Sequence, residues 1–448
     1  MSDTTSPASP TPLSDRQKIR KLPFYIAAMT MNSVFTTLTV FGSVFPLFLA
    51  DLGLDKAQIG LALALIPYAT LISPLMAPFV SKWGFRRTFL IVWTTRKFII
   101  TAMLFAPVIL ANAGLSAAFS WVIVCIIGFA LCRATGETGL LPWTQELVPN
   151  DIRGKFMALE NLVVTIGQII VVALAGFLID HLVGSARYVI PMGIGVVGGL
   201  VGVSLFSFLP GGKPVRQSID LRAHLTELRM AFADRNFMSF MGMLTLVTLG
   251  SGLSSSFIPL FANEEIGLSP GSVVLLSIGA SIGTLVTSVP VGWALDRIGN
   301  KPLMWIGLGM LCALPICWLA VPRQEPTSVI FAMVVSGVSG VASITWSMSW
   351  SRFLFNAAVP PRYSAVYLSV YYAWSSFVGG SGPLLAGGIL TALATTTFNP
   401  YAALFMISLA PMVGGGMMLT HLRDHDSVSL RQLAGQTLGR IRDATRTR

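Results

Sequence analysis

Arg133 and Glu137 stand four residues apart in a part of the chain that is otherwise almost free of charge. On a helix that spacing puts both on one face, where guanidinium and carboxylate neutralise each other. A carboxylate so placed can take up a proton or meet a cationic solute, and the guanidinium can receive an anionic group. Asn32 and Gln168 lie in two other uncharged runs and offer amide donors and acceptors to a polar solute. Trp346 and Trp350 are one helical turn apart, and Tyr367, Tyr371 and Trp374 form a second stripe. Aromatic faces at such spacing either line a binding site or pack between helices.

A different constellation reads Gly292-Trp293-Ala294-Leu295-Asp296-Arg297-Ile298-Gly299-Asn300-Lys301. Its glycines allow close helix approach and a tight turn, and Asp296 can pair with a basic residue or a neighbouring helix N-terminus. Such a cluster is suited to a clasp that holds in one state and releases in another. The stretch Ala77-Pro78-Phe79-Val80-Ser81-Lys82-Trp83-Gly84-Phe85-Arg86-Arg87 is a degenerate copy, with Ser81 where Asp296 stands. Glu146 and Asp151, close to Arg153, are acids that Arg86 or Arg87 can meet when this side is closed.

The scaffold for these residues follows from composition. Of 448 residues 54% are hydrophobic and 11% charged, against about 25% charged in soluble proteins, which excludes an ordinary cytosolic enzyme and a disordered chain. Stretches without Asp, Glu, Lys or Arg run 22–50, 57–81, 98–132, 161–179, 188–212, 236–263, 266–295, 302–322, 326–351 and 363–422. A crossing helix needs about 20 apolar residues. Eight stretches hold one span each. The last is broken near Thr397-Phe398-Asn399-Pro400 and holds two, and 98–132 is broken around Asn112-Ala113-Gly114. That last-named stretch is too short for two unless span 3 reaches back over Arg96 and Lys97 and span 4 forward over Arg133 and Glu137. The sum is twelve transmembrane helices.

Orientation follows from the basic residues, which gather on the cytoplasmic side of membrane proteins. With the N-terminus inside, the cytoplasmic segments hold 23 Lys/Arg and the external loops only Lys56, Arg187 and Arg323. The net charge of +11 is thus a signal of topology and lipid-head contact, and nucleic acid is not expected as a partner. The expected layout is a disordered cytoplasmic N-terminus (1–21), a six-helix bundle (22–209), a linker (210–237) with an amphipathic helix, a second six-helix bundle (238–421) and a basic cytoplasmic tail (422–448). Within the linker Leu221, Leu225, Leu228 and Phe232 share a face, with Ser218 as a possible N-cap. No signal peptide is expected. The cysteines and histidines suggest neither a disulfide framework nor a metal site, and no cofactor is expected.

The halves repeat. Phe45-Pro46-Leu47-Phe48 matches Ile258-Pro259-Leu260-Phe261, and Gly84 with Arg86 matches Gly299 with Lys301. A duplication on this scale implies two bundles about a pseudo-two-fold axis with a site between them.

The pattern G-x-x-x-D-R-x-G-x-K after span 8, together with twelve spans and a central loop, resembles the major facilitator superfamily along nearly the whole chain. The resemblance implies an all-α integral membrane fold of two pseudo-symmetric six-helix bundles, with span 4 lining a central cavity. It implies a gate on the cytoplasmic face formed by Gly292, Asp296, Arg297, Gly299 and Lys301 with Arg86, Arg87, Glu146, Asp151 and Arg153. Residues 146–154 resemble the loop after span 4 of sugar porters. Arg133 to Gly139 resembles the span-4 motif of proton-coupled drug antiporters, with Glu137 where that pattern has Gly. Gly382-Pro383 is similar to an antiporter motif, but one carried on span 5. Third helices are peripheral in this fold, so Arg96 and Lys97 are expected to snorkel to lipid heads; Glu160 is expected to be structural.

The expected function is secondary transport of a small organic solute by alternating access, coupled to a proton or another ion, by a monomer in the cell membrane. Arg133, Glu137, Asn32, Gln168, Trp346, Trp350 and Tyr371 are the expected cavity residues. A drug or metabolite efflux antiporter, a lipid flippase and a non-transporting receptor of the same fold are the alternatives.

Overall fold

The computed structural model describes residues 15–149, 151–212, 214, 229–360 and 364–422. The linker face built on Leu221, Leu225 and Leu228, its cap Ser218, and the tail from Arg423 lie outside the described residues. Among the described residues the chain is helical, without strands.

Eleven helices are long and apolar enough to cross a membrane. With the intervening Phe85–Met103 they are α1 (Lys18–Asp51), α2 (Lys56–Trp83), α3 (Phe85–Met103), α4 (Ala106–Leu147), α5 (Arg153–His181), α6 (Ala186–Ser207), α7 (Arg235–Glu264), α8 (Pro270–Ile298), α9 (Asn300–Leu319), α10 (Ser328–Ala358), α11 (Val366–Leu393) and α12 (Pro400–His421). Helix α3 falls short on composition because it carries Arg86, Arg87, Arg96 and Lys97.

Local chemistry sets the boundaries. Asp55 and Gln58 form a reciprocal capping box at the start of α2, and Ser269 caps α8 by accepting from Ser272 N. Asn399 caps α12 by accepting from Ala402 N, with Pro400 next in the chain, which ends the 363–422 stretch's first span where the sequence places the break. Span 3 runs on past α3 through residues 106–113, and the hairpin to span 4 turns inside the range of α4 at Gly114, whose φ of 83° lies in the left-handed region. Trp121 Nε1 donates to the Ala102 carbonyl at 2.9 Å across that hairpin.

The two repeat motifs mark breaks in the first helix of each half. Helix α1 loosens over Val40–Ser43 just before Phe45-Pro46, and α7 loosens at Ser256 and Phe257 just before Pro259. Packing repeats as well, with the main pairings shifted by six helices. Helix α1 packs on α5 and α6, as α7 packs on α11 and α12; α4 packs on α2 and α3, as α10 packs on α8 and α9. Between the bundles the main contacts are α2 on α11 and α5 on α8, again related by the shift, and α1 meets α7 just beyond their breaks.

The apolar cores show how the bundles sit. Opposite the basic face one core runs through both bundles, joining Phe45, Phe48 and Ile59 to Phe257, Phe261 and Leu390. Toward the basic face the cores are separate. Phe89, Trp93, Trp143 and Phe206 belong to the first bundle, and Phe237, Phe240, Trp346 and Phe353 to the second.

Candidate functional site

The two bundles are clasped on the face away from the basic loops. Lys56 of α2 forms an ion pair with Glu264 of α7, which also accepts from Tyr401 Oη at 2.8 Å. Arg323 and Asn399 hold Glu265 at 3.3 and 2.8 Å. Asp180, at the end of α5, accepts from Gly271 N and Ser269 Oγ at the start of α8, each at 2.9 Å. Its symmetry counterpart is Thr391 at the end of α11, which accepts from Ala57 N at the start of α2 at 3.1 Å. Four residues before each acceptor stands a glycine, Gly176 or Gly387, in backbone contact with the partner helix. A Cβ at Gly387 would lie 2.4 Å from the Lys56 carbonyl oxygen, and one at Gly176 would lie 3.0 Å from that of Gly271.

Deeper in, Tyr68 and Ser381 share a hydrogen bond of 3.1 Å. Beyond that level, among the described residues, no hydrogen bond or ion pair crosses between the bundles, and apolar side chains such as Phe79, Val286 and Val289 are exposed. Hydrogen bonds and ion pairs thus join the bundles on one face and, among the described residues, not on the basic one.

At the level of the helix breaks the bundles enclose two adjoining spaces that share Phe41, Gly42 and Ser43. The larger, about 420 Å³, is lined by Arg133, Ser255, Ser256 and Pro259 among others. The smaller, about 180 Å³, is lined by Thr37, Gln168, Ser277 and Ser281 among others. Of the residues lining the two, only Arg133 carries a charge.

Arg133 Nε donates to Glu137 Oε1 at 2.7 Å, and the guanidinium sits 4.6 Å from the centre of the Phe41 ring. Both side chains are partly exposed, at 24% and 38%. The bond uses one edge of the guanidinium, and its two terminal nitrogens make no hydrogen bond to the described protein. Gln168 Nε2 donates to Thr37 Oγ1 at 3.3 Å, which places it in the smaller space.

Other candidates are placed differently. Asn32 does not present its carbonyl to the cavity, because Oδ1 accepts from Arg96 Nη2 at 2.6 Å and from Lys97 Nζ at 3.1 Å. Arg96 and Lys97 do not snorkel. They are 1% and 0% exposed, folded inward from α3 against α1, α4 and α6. Arg96 lies 3.7 Å from the Trp93 ring centre and Lys97 3.3 Å from that of Phe35, and Gly199 leaves room for the lysine stem. The aromatic faces and one amide oxygen replace part of the lost hydration. Trp346 and Tyr371 are core residues of the second bundle, each 7% exposed; Trp346 packs on Gly307, and Tyr371 on Trp350 at 5.6 Å.

On the basic face Gly84 and Gly299, with φ of 93° and 84°, make equivalent turns that tolerate only glycine without strain. Two residues on, Arg86 donates to Ser207 O at the end of α6 at 2.6 Å, and Lys301 to Thr420 O and Leu422 O at the end of α12 at 3.2 and 2.7 Å. These cations satisfy helix C-terminal carbonyls in symmetric positions. Asp296 accepts from Arg352 of α10 at 2.6 Å, within its own bundle, and Arg297 lies over Trp293. Gly292 faces Met348 at ordinary contact distance. The pairing of Glu146 or Asp151 with Arg86 or Arg87 is not formed here. Glu146 instead accepts from Gly212 N at 2.8 Å, Arg153 donates to Gln145 O and Val148 O, and Arg87 and Asp151 are exposed.

Sequence reasoning missed the far clasp. The signal for it is that this side carries six acids, Asp51, Asp55, Asp180, Glu264, Glu265 and Glu325, against only three bases.

The family model of the Major Facilitator Superfamily matches residues 26–383 and 240–442. The chain belongs to the Major Facilitator Superfamily. Its superfamily fold is shared with solved structures at low identity. A mutant of the nucleoside transporter NupG is 17% identical, with TM-score 0.70 over 90% of this chain and 100% of that one. The D-xylose-proton symporter is 16% identical, with TM-score 0.66 over 93% of this chain and 100% of that one. A bacterial homolog of the human lysosomal transporter Spinster, in an inward-facing and unoccupied conformation, is 17% identical, with TM-score 0.58 over 92% and 96%. At such identity the likeness is one of fold. No curated protein matches the chain.

Proposed function

We infer that the protein is a secondary transporter which moves a small organic solute by alternating access, coupled to a proton gradient, as a monomer in the cell membrane. The observation that carries this reading is the arrangement of the cores: joined through both bundles on one face, separate on the other, with a cavity between. Residues 22–209 and 238–421 act as the two rocking bodies. The excess of basic residues makes the open face cytoplasmic, so the conformation is inward-open with both termini inside. The Lys56–Glu264 and Asp180–Gly271 contacts hold the outside shut. Asp296, Arg297 and the basic residues of the opposite bundle close the inside when the outside opens.

Glu137 is the proton carrier and Arg133 its partner when the site is empty, a role supported by their 2.7 Å contact beside the cavity. The test is transport in proteoliposomes by Glu137→Gln. Loss of pH-driven accumulation with retained solute exchange is expected. Unchanged pH-driven accumulation removes Glu137 from the mechanism.

A further inference from the structure

The transport reading leaves open what kind of solute the cavity takes, and its charge narrows the choice. Within the spans of the first bundle lie three cations, Arg96, Lys97 and Arg133, with one acid beside them, Glu137, and a second, Glu160, two turns into α5. The buried pair Arg96 and Lys97 has only the neutral Asn32 as side-chain hydrogen-bond partner, and Arg96 Nε has no partner at all. The matching depth of the second bundle supplies no acid, since Glu264, Glu265 and Asp296 all sit at helix ends. An excess of positive charge in a low-dielectric interior favours entry of a negative group.

We propose that the solute is an organic anion whose carboxylate or phosphate-type oxyanion docks on Arg133, in competition with Glu137. The proposal rests on the transport reading and gives it a substrate class. Arg133 is the one charged residue lining the two spaces, and its terminal nitrogens are unoccupied by the described protein. A guanidinium presents those nitrogens as a planar fork matched to two oxygens of an oxyanion. Around it the hydroxyls of Ser43, Ser255 and Ser256, with Thr37 and Gln168 adjoining, offer hydrogen bonds to the solute's polar groups, and Leu63, Ile66 and Pro259 pack its carbon frame.

Competition for one guanidinium also supplies the coupling. While Glu137 is ionised it occupies Arg133; a proton on Glu137 removes the competitor, so anion and proton bind together. The charged groups beside Glu137 are Arg133 on its own helix and Arg96 on α3. Helix α2 meets this stretch through Ser73, which donates to Ala134 O and brings no ionisable group. With a monoanion the loaded and empty sites then carry the same net charge.

The test uses the full purified chain and a library of matched neutral, cationic and anionic solutes, such as D-glucose, D-glucosamine and D-gluconate with other sugar, amine, carboxylate and phosphate sets. Binding is read by thermal shift and titration at acid and alkaline pH. The stabilising solutes are expected to be anions that bind more tightly at acid pH. Arg133→Gln is expected to weaken them about tenfold or more. Arg133→Lys keeps the charge without the fork and is expected to fall between; it serves if Arg133→Gln does not fold. Glu137→Gln is expected to tighten anion binding and flatten its pH dependence. A library in which no anion stabilises the protein, or anion affinity unchanged in both Arg133 variants, overturns the proposal. Flux of neutral solutes alone overturns the substrate class while leaving transport standing; anion binding without flux does the reverse.

Discussion

Asp180 of α5 accepts a hydrogen bond from the backbone nitrogen of Gly271 at the start of α8, at 2.9 Å, and so ties one bundle to the other through a helix N-terminus. Thr391 of α11 does the same for Ala57 of α2 at 3.1 Å. Each acceptor stands four residues after a glycine that lets the helices touch. The clasp is therefore built twice, once with a carboxylate and once with a hydroxyl, as expected of a duplicated chain whose copies have diverged.

The carboxylate half is the stronger, because a negative group at a helix N-terminus meets both unsatisfied N–H groups and the positive end of the dipole. Asp180→Ala is expected to cost the clasped state about 1 kcal/mol, roughly a fivefold change in the ratio of clasped to open molecules. Thr391→Ala is expected to shift it in the same direction by less. Distances between spin labels on the outer ends of α5 and α8 check this; an unchanged distribution in Asp180→Ala counts against the clasp.

Asn32 is expected to act as a structural acceptor rather than a solute contact. Asn32→Leu removes the one side-chain oxygen that Arg96 and Lys97 share. Hydrogen bonds to charged groups contribute about 1.5–3 kcal/mol each, so the variant is expected to unfold at a clearly lower temperature. Asn32→Asp keeps the acceptor and adds a counter-charge, and is expected to retain the wild-type melting temperature or exceed it. Thermal unfolding in detergent decides; equal melting temperatures for Asn32→Leu and wild type contradict the assignment.

The sequence made the twelve helices and the two halves readable because membrane crossing is a matter of length and charge, which a one-dimensional scan records. It also located the turn at Gly114 and the pairing of Arg133 with Glu137, both of which depend on short-range spacing. The contacts it did not reveal are between distant segments. Arg96 and Lys97 read as snorkelers because third helices are peripheral in the fold that the sequence resembles. Their inward fold depends on Phe35 and Asn32 of α1, Phe129 of α4 and the gap at Gly199 of α6, brought together only by the fold. Trp346 and Tyr371 read as cavity residues because helical spacing sets a stripe without saying whether it faces the cavity or the bundle core.

The most direct test of two bundles that close one face while opening the other is a reversible tether across the closed face. Cysteines in place of Lys56 and Glu264, whose side chains now pair, join α2 to α7 when oxidised. Solute flux in proteoliposomes is expected to stop on oxidation and to return on reduction. Flux that continues at its original rate with the cross-link fully formed contradicts alternating exposure of the central cavity.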